Sequence, residues 1–332
     1  MLLFCAAMFV FVKADGRGGQ SVRADPPRKL VLCADDFGLT EAVSEGILDL
    51  IVERRLTATS VFSQAPCWPR AARRLAQVLL AKGPGTPSVD VGLHLNLTHA
   101  FGIQPQHGWY SPPKDDPGNS PVYWWLASQS RLISRSRLTM RFRAQIDAFV
   151  RHFERLPDFI DSHQHVHAFP RIRQALTDAI TARWPATRPL PWLRAPERLV
   201  DVADSPVKAR LIQLASCRFS QHAARNGLRT PAGFAGVYSM RAEADFRHHM
   251  QRWLQAAPEG TLLVCHPARR GALAASTEVP DELATTRGLE YEYLSSSAFS
   301  RDCRATGVQL ARFSELIATP ATPVIAKAAL SK

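Results

Sequence analysis

The sequence predicts an α/β fold in which a parallel sheet is built from repeated strand–helix units. Short apolar runs alternate with amphipathic stretches from Lys29 onward, which is the pattern of βα units. Polar residues follow several of these runs, as expected where parallel strands lead into a site. The chain has 332 residues, 46% hydrophobic and 21% charged, so it is long and apolar enough for a large core. This composition excludes a disordered, collagen-like or disulfide-stapled protein.

The two ends of the chain are predicted to lie outside the folded unit. Residues 1–12 are apolar, which is long enough for a signal-peptide core but too short to span a bilayer. No basic residue precedes this run and the six cysteines form no CxxC pair, so we expect a cytoplasmic protein without a stable membrane span. A secreted or periplasmic location and a misplaced start codon stay open, because Val12–Ala14 is similar to a cleavage site. Residues 1–28 are interpreted as a flexible leader and residues 319–332 as a flexible tail.

The first strand–helix unit begins with the apolar run Lys29–Ala34, which predicts a short strand. Two carboxylates, Asp35 and Asp36, follow this run directly. Apolar residues then recur at helical spacing over Glu41–Arg54, which predicts the first helix. The carboxylate pair has two interpretations at this point, a turn with a helix cap or a pair of functional groups at a strand end.

The second and third strands are predicted over Ala58–Phe62 and Val89–Leu97, with a helix around Leu75 between them. Strict alternation in the third strand places His94 on a polar face together with Asn96. A polar face within an apolar strand needs hydrogen-bond partners or a cavity. We therefore treat His94 as a candidate site residue, with a core histidine as the alternative.

Residues 98–134 interrupt the alternation with several prolines and a concentration of aromatic residues. The segment is predicted as a long insertion. A substrate lid or wall and a loop that packs its aromatic residues on the outside of the fold are both open interpretations.

Helical spacing resumes around Phe142, and Phe159–Asp161 predicts a fourth strand that runs into a histidine cluster. Later strands are predicted over Pro191–Ala195 and Thr261–Cys265. Further helices are predicted around Val207–Leu214 and around Phe246, Met250 and Leu254. We find no internal repeat and no shift in composition, so one domain is expected over residues 29–318, with its insertion at about 98–134.

Four groups of polar residues stand at the ends of predicted strands and are expected to meet. They are Asp35 with Asp36, His94, the run Asp161–His167, and His266. Because the carboxyl ends of parallel strands face the same side, residues far apart in sequence converge there. Two histidines and one carboxylate suit a divalent metal and leave coordination positions open. A second carboxylate beside the first remains available to take a proton.

The charge balance is strongly basic, with 41 Lys and Arg against 29 Asp and Glu, or +12. Such a balance suggests a nucleic acid or an anionic membrane as partner. Only seven of the 41 are lysines, and the arginines are scattered through helical stretches. We therefore interpret the excess as compositional bias on solvated faces and expect no nucleic-acid partner.

Four ordered motifs resemble the YdjC-like carbohydrate deacetylase family, which includes chitooligosaccharide deacetylases and a hopanoid-biosynthesis-associated branch. The motifs are ADDFG at 34–38, GLHLNLT at 92–98, DSHQHVHAFP at 161–170 and CHP at 265–267. The resemblance extends from about Lys29 to Phe313. It implies a distorted, TIM-barrel-like (β/α) barrel that removes an N-acetyl group from an amino sugar. It also implies one divalent metal ion, with Mg²⁺ or Zn²⁺ expected.

The resemblance implies a role for each residue that matches the motifs. Asp36, His94 and His163 would be the metal ligands. Asp35 would be the general base that deprotonates the attacking water. His266 would protonate the leaving amine or stabilise the oxyanion.

Four more residues are candidates for contacts with the sugar: His165, His167, Arg194 and Arg287. For the two histidines, support of the metal-binding histidines is the alternative, since a ligand histidine usually needs a partner for its other ring nitrogen. For the two arginines, structural ion pairs are the alternative.

The expected partner is a small carbohydrate or a glycolipid, and a homodimer is an open option. Two other functions stay open as well. A phosphoesterase-like metal hydrolase would use the arginine excess for anion contacts. A glycan-binding homologue would keep the fold but would not catalyse a reaction. Such a protein has no need of a free carboxylate beside a metal ligand.

Overall fold

The computed structural model describes residues 26–81, 88–99, 101, 120–130, 133–202, 204–269 and 283–316. Most of the predicted leader, all of the predicted tail over residues 319–332 and much of the predicted insertion lie outside these residues.

Parallel strands form the centre of the fold. The described part of the chain contains β1 (Arg28–Phe37), β2 (Ala58–Val61), β3 (Asp90–Leu95), β4 (Phe159–Ser162), β5 (Trp192–Leu193), β6 (Gly233–Ala235), β7 (Thr261–Cys265) and β8 (Val308–Leu310). Their order is β5-β4-β3-β2-β1-β7-β6, and β8 pairs with the first residues of β1. Between the β5 and β6 edges, the described residues form only the isolated bridges Trp192–Arg229 and Leu199–Phe234. The sheet is therefore a half-barrel, which confirms the predicted distorted (β/α) barrel.

Helices follow most of the strands and cover the sheet. They are α1 (Glu41–Val52), α2 (Trp68–Leu80), α3 (Pro121–Gln129), α4 (Arg135–Phe153), α5 (Pro170–Arg183), α6 (Pro206–Ala215), α7 (Phe219–Arg225), α8 (Phe246–Ala256), α9 (Ala284–Ser295), α10 (Ser297–Ala305) and α11 (Phe313–Leu316). Among the described residues, no helix combines the length and the apolar character that crossing a bilayer requires.

Strand β1 is the central strand and is longer than the sequence suggests. It continues to Phe37, whereas the apolar run ends at Ala34. Every residue from Leu30 to Phe37 is buried, because neighbouring strands and helices cover both faces. The two carboxylates therefore belong to the strand itself, where arginines pair with both of them.

Helix α3 lies within the segment predicted as an irregular insertion. Ser120 caps its first turn by accepting the N–H of Val122 at 3.2 Å, and Pro121 occupies the first helical position, where its missing N–H costs nothing. The helix packs against α5 and against a 3-10 turn over His163–Ala168.

Candidate active site

The carboxyl end of the sheet brings together residues from four predicted segments. Asp35 and Asp36 lie at the end of β1, and His94 lies near the end of β3. His163 follows β4 directly, and His266 follows β7 directly. Because β4, β3, β2, β1 and β7 are consecutive neighbours in the sheet, these side chains meet in one place.

A cluster of three potential ligands is formed by Asp36, His94 and His163, the residues that the resemblance implied as metal ligands. Their ligand atoms all lie within 4.8 Å of one another. Asp36 Oδ1 lies 3.5 Å from His94 Nε2 and 3.9 Å from His163 Nδ1. Asp36 Oδ1 is buried and has no hydrogen-bond partner, which is unfavourable for a carboxylate oxygen unless a cation meets it. The donor set therefore fits a divalent cation.

A bulge in β1 explains how two successive carboxylates reach the same site. Side chains in a regular strand alternate between faces, so Asp35 and Asp36 would point apart. The register between β1 and β2 shifts between Ala34 and Phe37, and Asp36 adopts a φ of 67°. This left-handed conformation is rare for a residue other than glycine and marks a locally strained backbone at the site.

His94 is oriented by a carboxylate behind it. Its Nδ1 lies 2.7 Å from Asp161 Oδ1, which also accepts a 2.5 Å hydrogen bond from Ser60 Oγ. The proton on Nδ1 therefore belongs to this contact, and Nε2 is left facing Asp36. Burial acts to lower the pKa of His94, but the carboxylates of Asp161 and Asp35 outweigh it, so the pKa is raised. The sequence marked Asp161 only as the residue before the cluster and gave no signal for Ser60.

Asp35 is held by a buried guanidinium. Arg194 donates from Nη1 to Oδ2 at 2.7 Å and from Nη2 to Oδ1 at 2.6 Å, and its Nη2 also meets Asp161 Oδ2. Burial acts to raise the pKa of Asp35, but Arg194 and nearby histidines reverse this and hold the pKa well below its usual range. Asp35 is therefore an ionised carboxylate at neutral pH.

Arg287 holds Asp36 by a similar hydrogen-bonded ion pair. Its Nη2 donates to Asp36 Oδ2 at 2.7 Å, which leaves Oδ1 directed at the two histidines. Arg194 is 1% exposed and Arg287 is 2% exposed. Their prediction as sugar contacts is not supported by this placement, because both guanidinium groups are buried against carboxylates. Both arginines instead form the structural ion pairs that were the alternative.

The 3-10 turn after β4 separates the three clustered histidines. Gln164 and His165 adopt φ values of 53° and 60°, so the chain turns sharply and each ring points elsewhere. His163 faces Asp36 and is one quarter exposed, and burial lowers its pKa to about 3. His165 is partly exposed and packs edge-on against Phe234, with ring centroids 5.2 Å apart.

His167 does not lie where a substrate could touch it. It is fully buried, with Nδ1 2.8 Å from Ser162 Oγ and Nε2 2.9 Å from the carbonyl oxygen of Arg194. Burial lowers its pKa to about 4, so the ring is neutral. Both ring nitrogens are occupied and the residue holds the backbone of Arg194, so this placement does not support the prediction of a substrate contact.

His266 stands beside Asp35. Its Nε2 lies 3.8 Å from Asp35 Oδ2, and its side chain is 18% exposed. Its backbone N–H donates to Glu290, whose other oxygen accepts a 2.5 Å hydrogen bond from the hydroxyl of Tyr238. Glu290 is fully buried, and burial raises its pKa. Sequence analysis missed Glu290, since a single carboxylate within a helical stretch carries no local signal.

The charged groups around the cluster carry a net negative charge that favours a bound cation. Three carboxylates, Asp35, Asp36 and Asp161, face two guanidinium groups, Arg194 and Arg287. With neutral histidines this set is one positive charge short, and a buried excess negative charge is costly. A divalent ion at Asp36 would more than offset this single negative charge.

Comparisons with known proteins match most of the described chain. The family described as YdjC-like protein matches residues 29–305. A carbohydrate deacetylase of Homo sapiens is 26% identical over 314 residues, covering 88% of this chain and 92% of that protein. A chitooligosaccharide deacetylase of Serratia marcescens is 23% identical over 288 residues, covering 86% and 98%.

Other matches are shorter or concern the fold alone. The chitooligosaccharide deacetylase of Escherichia fergusonii is 28% identical over 145 residues, which span 44% of this chain and 52% of that protein. Among solved structures, a candidate cellobiose-phosphate cleavage protein of Enterococcus faecalis V583 aligns with a TM-score of 0.59 and 19% identity. The alignment covers 87% of this chain and 99% of that one, and it supports the fold.

Proposed function

The chain belongs to the YdjC-like protein family, and from that membership we propose that it is a metal-dependent carbohydrate deacetylase. Relatives that match over nearly their whole length are named carbohydrate deacetylase and chitooligosaccharide deacetylase. The proposed reaction hydrolyses the acetamide of an N-acetylglucosamine-type sugar to acetate and a free amine. The observation that carries the proposal is the cluster of Asp36, His94 and His163 beside an ionised second carboxylate, Asp35.

The cation would be held by one carboxylate oxygen and two imidazole nitrogens. When bound there, a divalent metal polarises the acetyl carbonyl and lowers the pKa of water. Asp36 would offer Oδ1 to the cation, because Arg287 already donates to Oδ2. Imidazole nitrogen suits Zn²⁺ better than Mg²⁺, which prefers oxygen ligands, so of the two metals expected from the resemblance we favour Zn²⁺.

Asp35 and His266 divide the proton transfers between them. Asp35 accepts a proton from the attacking water, and Arg194 keeps it ionised and correctly oriented until then. His266 donates a proton to the leaving nitrogen, because a neutral amine leaves far more readily than an amide anion. The two groups lie 3.8 Å apart, so a proton gained by Asp35 has a short route to His266 for the next turnover.

The substrate is proposed to be a small carbohydrate or a glycolipid that enters beside the partly exposed His163, His165 and His266. His165 is retained as a substrate contact, since it is partly exposed at the site. Arg194, Arg287 and His167 act instead as positioning residues. With both buried arginines paired to carboxylates, the anion contacts that would favour a phosphoesterase are not offered by them.

The first test is acetate release from diacetylchitobiose and N-acetylglucosamine. Metal-stripped protein is re-supplied separately with Zn²⁺, Mg²⁺, Mn²⁺ or Co²⁺. We expect acetate release that needs a metal and that is abolished in His94→Ala and reduced about 10²- to 10⁴-fold in Asp35→Asn. His248→Ala and Asp147→Asn are matched controls on exposed side chains and should behave as the parent protein.

Two results would count against this assignment. Near-normal deacetylation by Asp35→Asn with metal still bound would remove Asp35 as the base. Release of phosphate from a generic phosphoester, without acetate release from either sugar, would favour the phosphoesterase-like hydrolase.

A further inference from the structure

Helix α6 presents an apolar stripe to solvent. Val207 is 73% exposed, Leu211 62% and Leu214 55%, and their spacing of four and three residues places them on one side of the helix. The opposite side makes the contacts with the protein, where Ala209 is buried and Ile212 packs against the core. A surface helix normally turns polar residues outward, so this stripe has no role in the packing of the fold.

The stripe lies in a stretch of the chain that carries positive charges only. Residues 205–242 contain six Lys and Arg and no Asp or Glu. All six are exposed: Lys208, Arg210, Arg218, Arg225, Arg229 and Arg241. None of them forms a salt bridge with a carboxylate of the described residues.

We propose that this α6 face, made of Val207, Leu211 and Leu214 with Arg210 and Arg218 beside them, docks on an anionic lipid bilayer. A helix with an apolar stripe and flanking cations lies in the plane of the interface. Its apolar side chains enter the boundary between headgroups and acyl chains, while arginine side chains reach back to the anionic headgroups. The membrane is contacted from one side and is not crossed.

Charge decides between the bilayer and other occupants. A second copy docking through the same face would bring Arg210 and Arg218 of one protomer against those of the other, which like-charge repulsion opposes. A nucleic acid would satisfy the cations but would leave three exposed apolar side chains without an apolar environment. An anionic bilayer supplies both kinds of contact at once.

The α6 face also lies close to the carboxyl end of the sheet. Lys208 Nζ donates to the carbonyl oxygen of Tyr238 at 3.0 Å, and the hydroxyl of Tyr238 bonds to Glu290, which holds the backbone of His266. Docking through α6 would therefore hold the candidate active site near the headgroup layer. The lipid contact itself does not depend on the proposed reaction, because none of its side chains belongs to the site.

The test is flotation of the full chain with vesicles of phosphatidylcholine alone and with added phosphatidylglycerol. We expect binding only to the vesicles that contain phosphatidylglycerol, weakening as salt is added. The variant V207S/L211S/L214S should lose at least about tenfold in binding, because its apolar contacts with the bilayer are removed. R210E/R218E should lose binding as well. These positions are exposed, so thermal unfolding of both variants should match the parent.

Two matched controls locate the effect. V52S/L80S removes apolar side chains that are 58% and 76% exposed on α1 and α2, and it should bind as the parent does. V122S/L126S removes those that are 61% and 58% exposed on α3 and should retain binding too. Loss of binding in the α3 variant but not in the α6 variant would overturn the assignment to α6.

Other outcomes would also overturn the proposal. One such outcome is that the parent protein floats with neither kind of vesicle, or floats equally with both. A dimer abolished by V207S/L211S/L214S, without flotation of the parent, would identify the face as a contact between copies. Salt-sensitive binding to RNA that is unaffected by the serine substitutions, again without flotation, would identify a nucleic-acid surface.

Discussion

Asp161 acts on the site through His94 and Arg194. A single substitution of Asp161 can therefore test its contribution to metal binding. Its carboxylate accepts from His94 Nδ1 and pairs with Arg194. We expect Asp161→Asn to weaken metal binding about 10- to 100-fold, because the histidine loses the charge that orients it and strengthens its donation to the metal. Calorimetric titration of Zn²⁺ into the metal-stripped protein measures this. The exposed Asp178→Asn serves as control, and an unchanged affinity in Asp161→Asn would contradict the role.

Arg194 is expected to set the pH range of the proposed reaction. Its two hydrogen bonds stabilise the ionised form of Asp35 and lower the pKa of that carboxyl, against the effect of burial. Lysine keeps the charge but not the paired bonds, so Arg194→Lys should raise the pKa of Asp35. Since the base must be ionised, the acidic limb of the kcat/KM profile should move to higher pH. A loss of activity by the same factor at every pH would show a purely structural effect.

The positions of the candidate site residues could be predicted from the sequence where a motif contained them, but the buried partners of the two arginines could not. Asp36, His94 and His163 lie together as the resemblance implied. The two arginines were candidates for sugar contacts, with structural ion pairs as the alternative, and their partners, Asp35 and Asp36, lie 159 and 251 residues away along the chain. Nothing in a sequence states which buried group a guanidinium will meet.

At the scale of elements, helix α1 supports the segment that follows β7. A Cβ atom on Gly46 would lie 2.8 Å from the backbone nitrogen of Arg269 and 2.9 Å from the Cα of Ala268, closer than real Cβ atoms approach. Gly46→Ala should therefore displace the segment next to His266 and lower kcat. It should also lower the free energy of unfolding by about 1–3 kcal/mol, despite the better helix propensity of alanine.

Denaturant unfolding and acetate release measure the two effects in parallel. Gly46→Val provides a graded comparison and should be worse in both. An alanine variant as stable and as active as the parent would show that α1 and this segment separate easily.

Most strands and helices could be predicted from apolar patterns, but two short strands and one helix could not. Strands β2, β3, β4 and β7 and helices α1, α2 and α4 coincide with patterns of apolar residues. Strands β6 and β8 are three residues each, too short for an alternation to be recognised. Helix α3 was missed because prolines suggested a loop, whereas Pro121 begins the helix.

At the scale of the whole molecule, Asp90 links pH to stability. It is buried at the start of β3 and accepts the N–H of Phe313 at 2.7 Å, tying β3 to α11. Burial and the neighbouring Asp158 raise its pKa from 3.8 to about 6. Its favourable contribution is therefore complete below about pH 4 and is lost as the pH rises through about 6, because the folded state then holds an unfavourable charge.

Asp90→Asn should remove that charge while keeping an oxygen for Phe313. We expect the variant to be more stable than the parent at pH 8, by up to about 3 kcal/mol, with the gain vanishing near pH 4. Denaturant unfolding from pH 4 to 8 checks this, with the exposed Asp147→Asn as control. A variant less stable than the parent at pH 8 would show that the Asp90 carboxylate is favourable when ionised.

The sequence predicts a parallel α/β barrel, but it does not predict where the barrel stays open. The alternation of strands and helices implies a parallel sheet, and the motifs imply a barrel. The gap between β5 and β6, joined in the described residues by isolated bridges, depends on two strands of two and three residues. Their hydrogen bonding is decided by tertiary packing, which local patterns do not encode.

The position of β1 also governs the order in which the chain can assemble as it is made. Strand β1 pairs with β2, which lies only about 25 residues later, but it also pairs with β7 and β8, whose paired residues lie more than 200 residues further along the chain. During synthesis the central strand, which carries Asp35 and Asp36 at its end, is made long before β7. One of its edges is therefore unpaired until β7 has been synthesised. Exposed edges of this kind recruit other chains, so nascent β1 is the segment where chaperone protection should matter most.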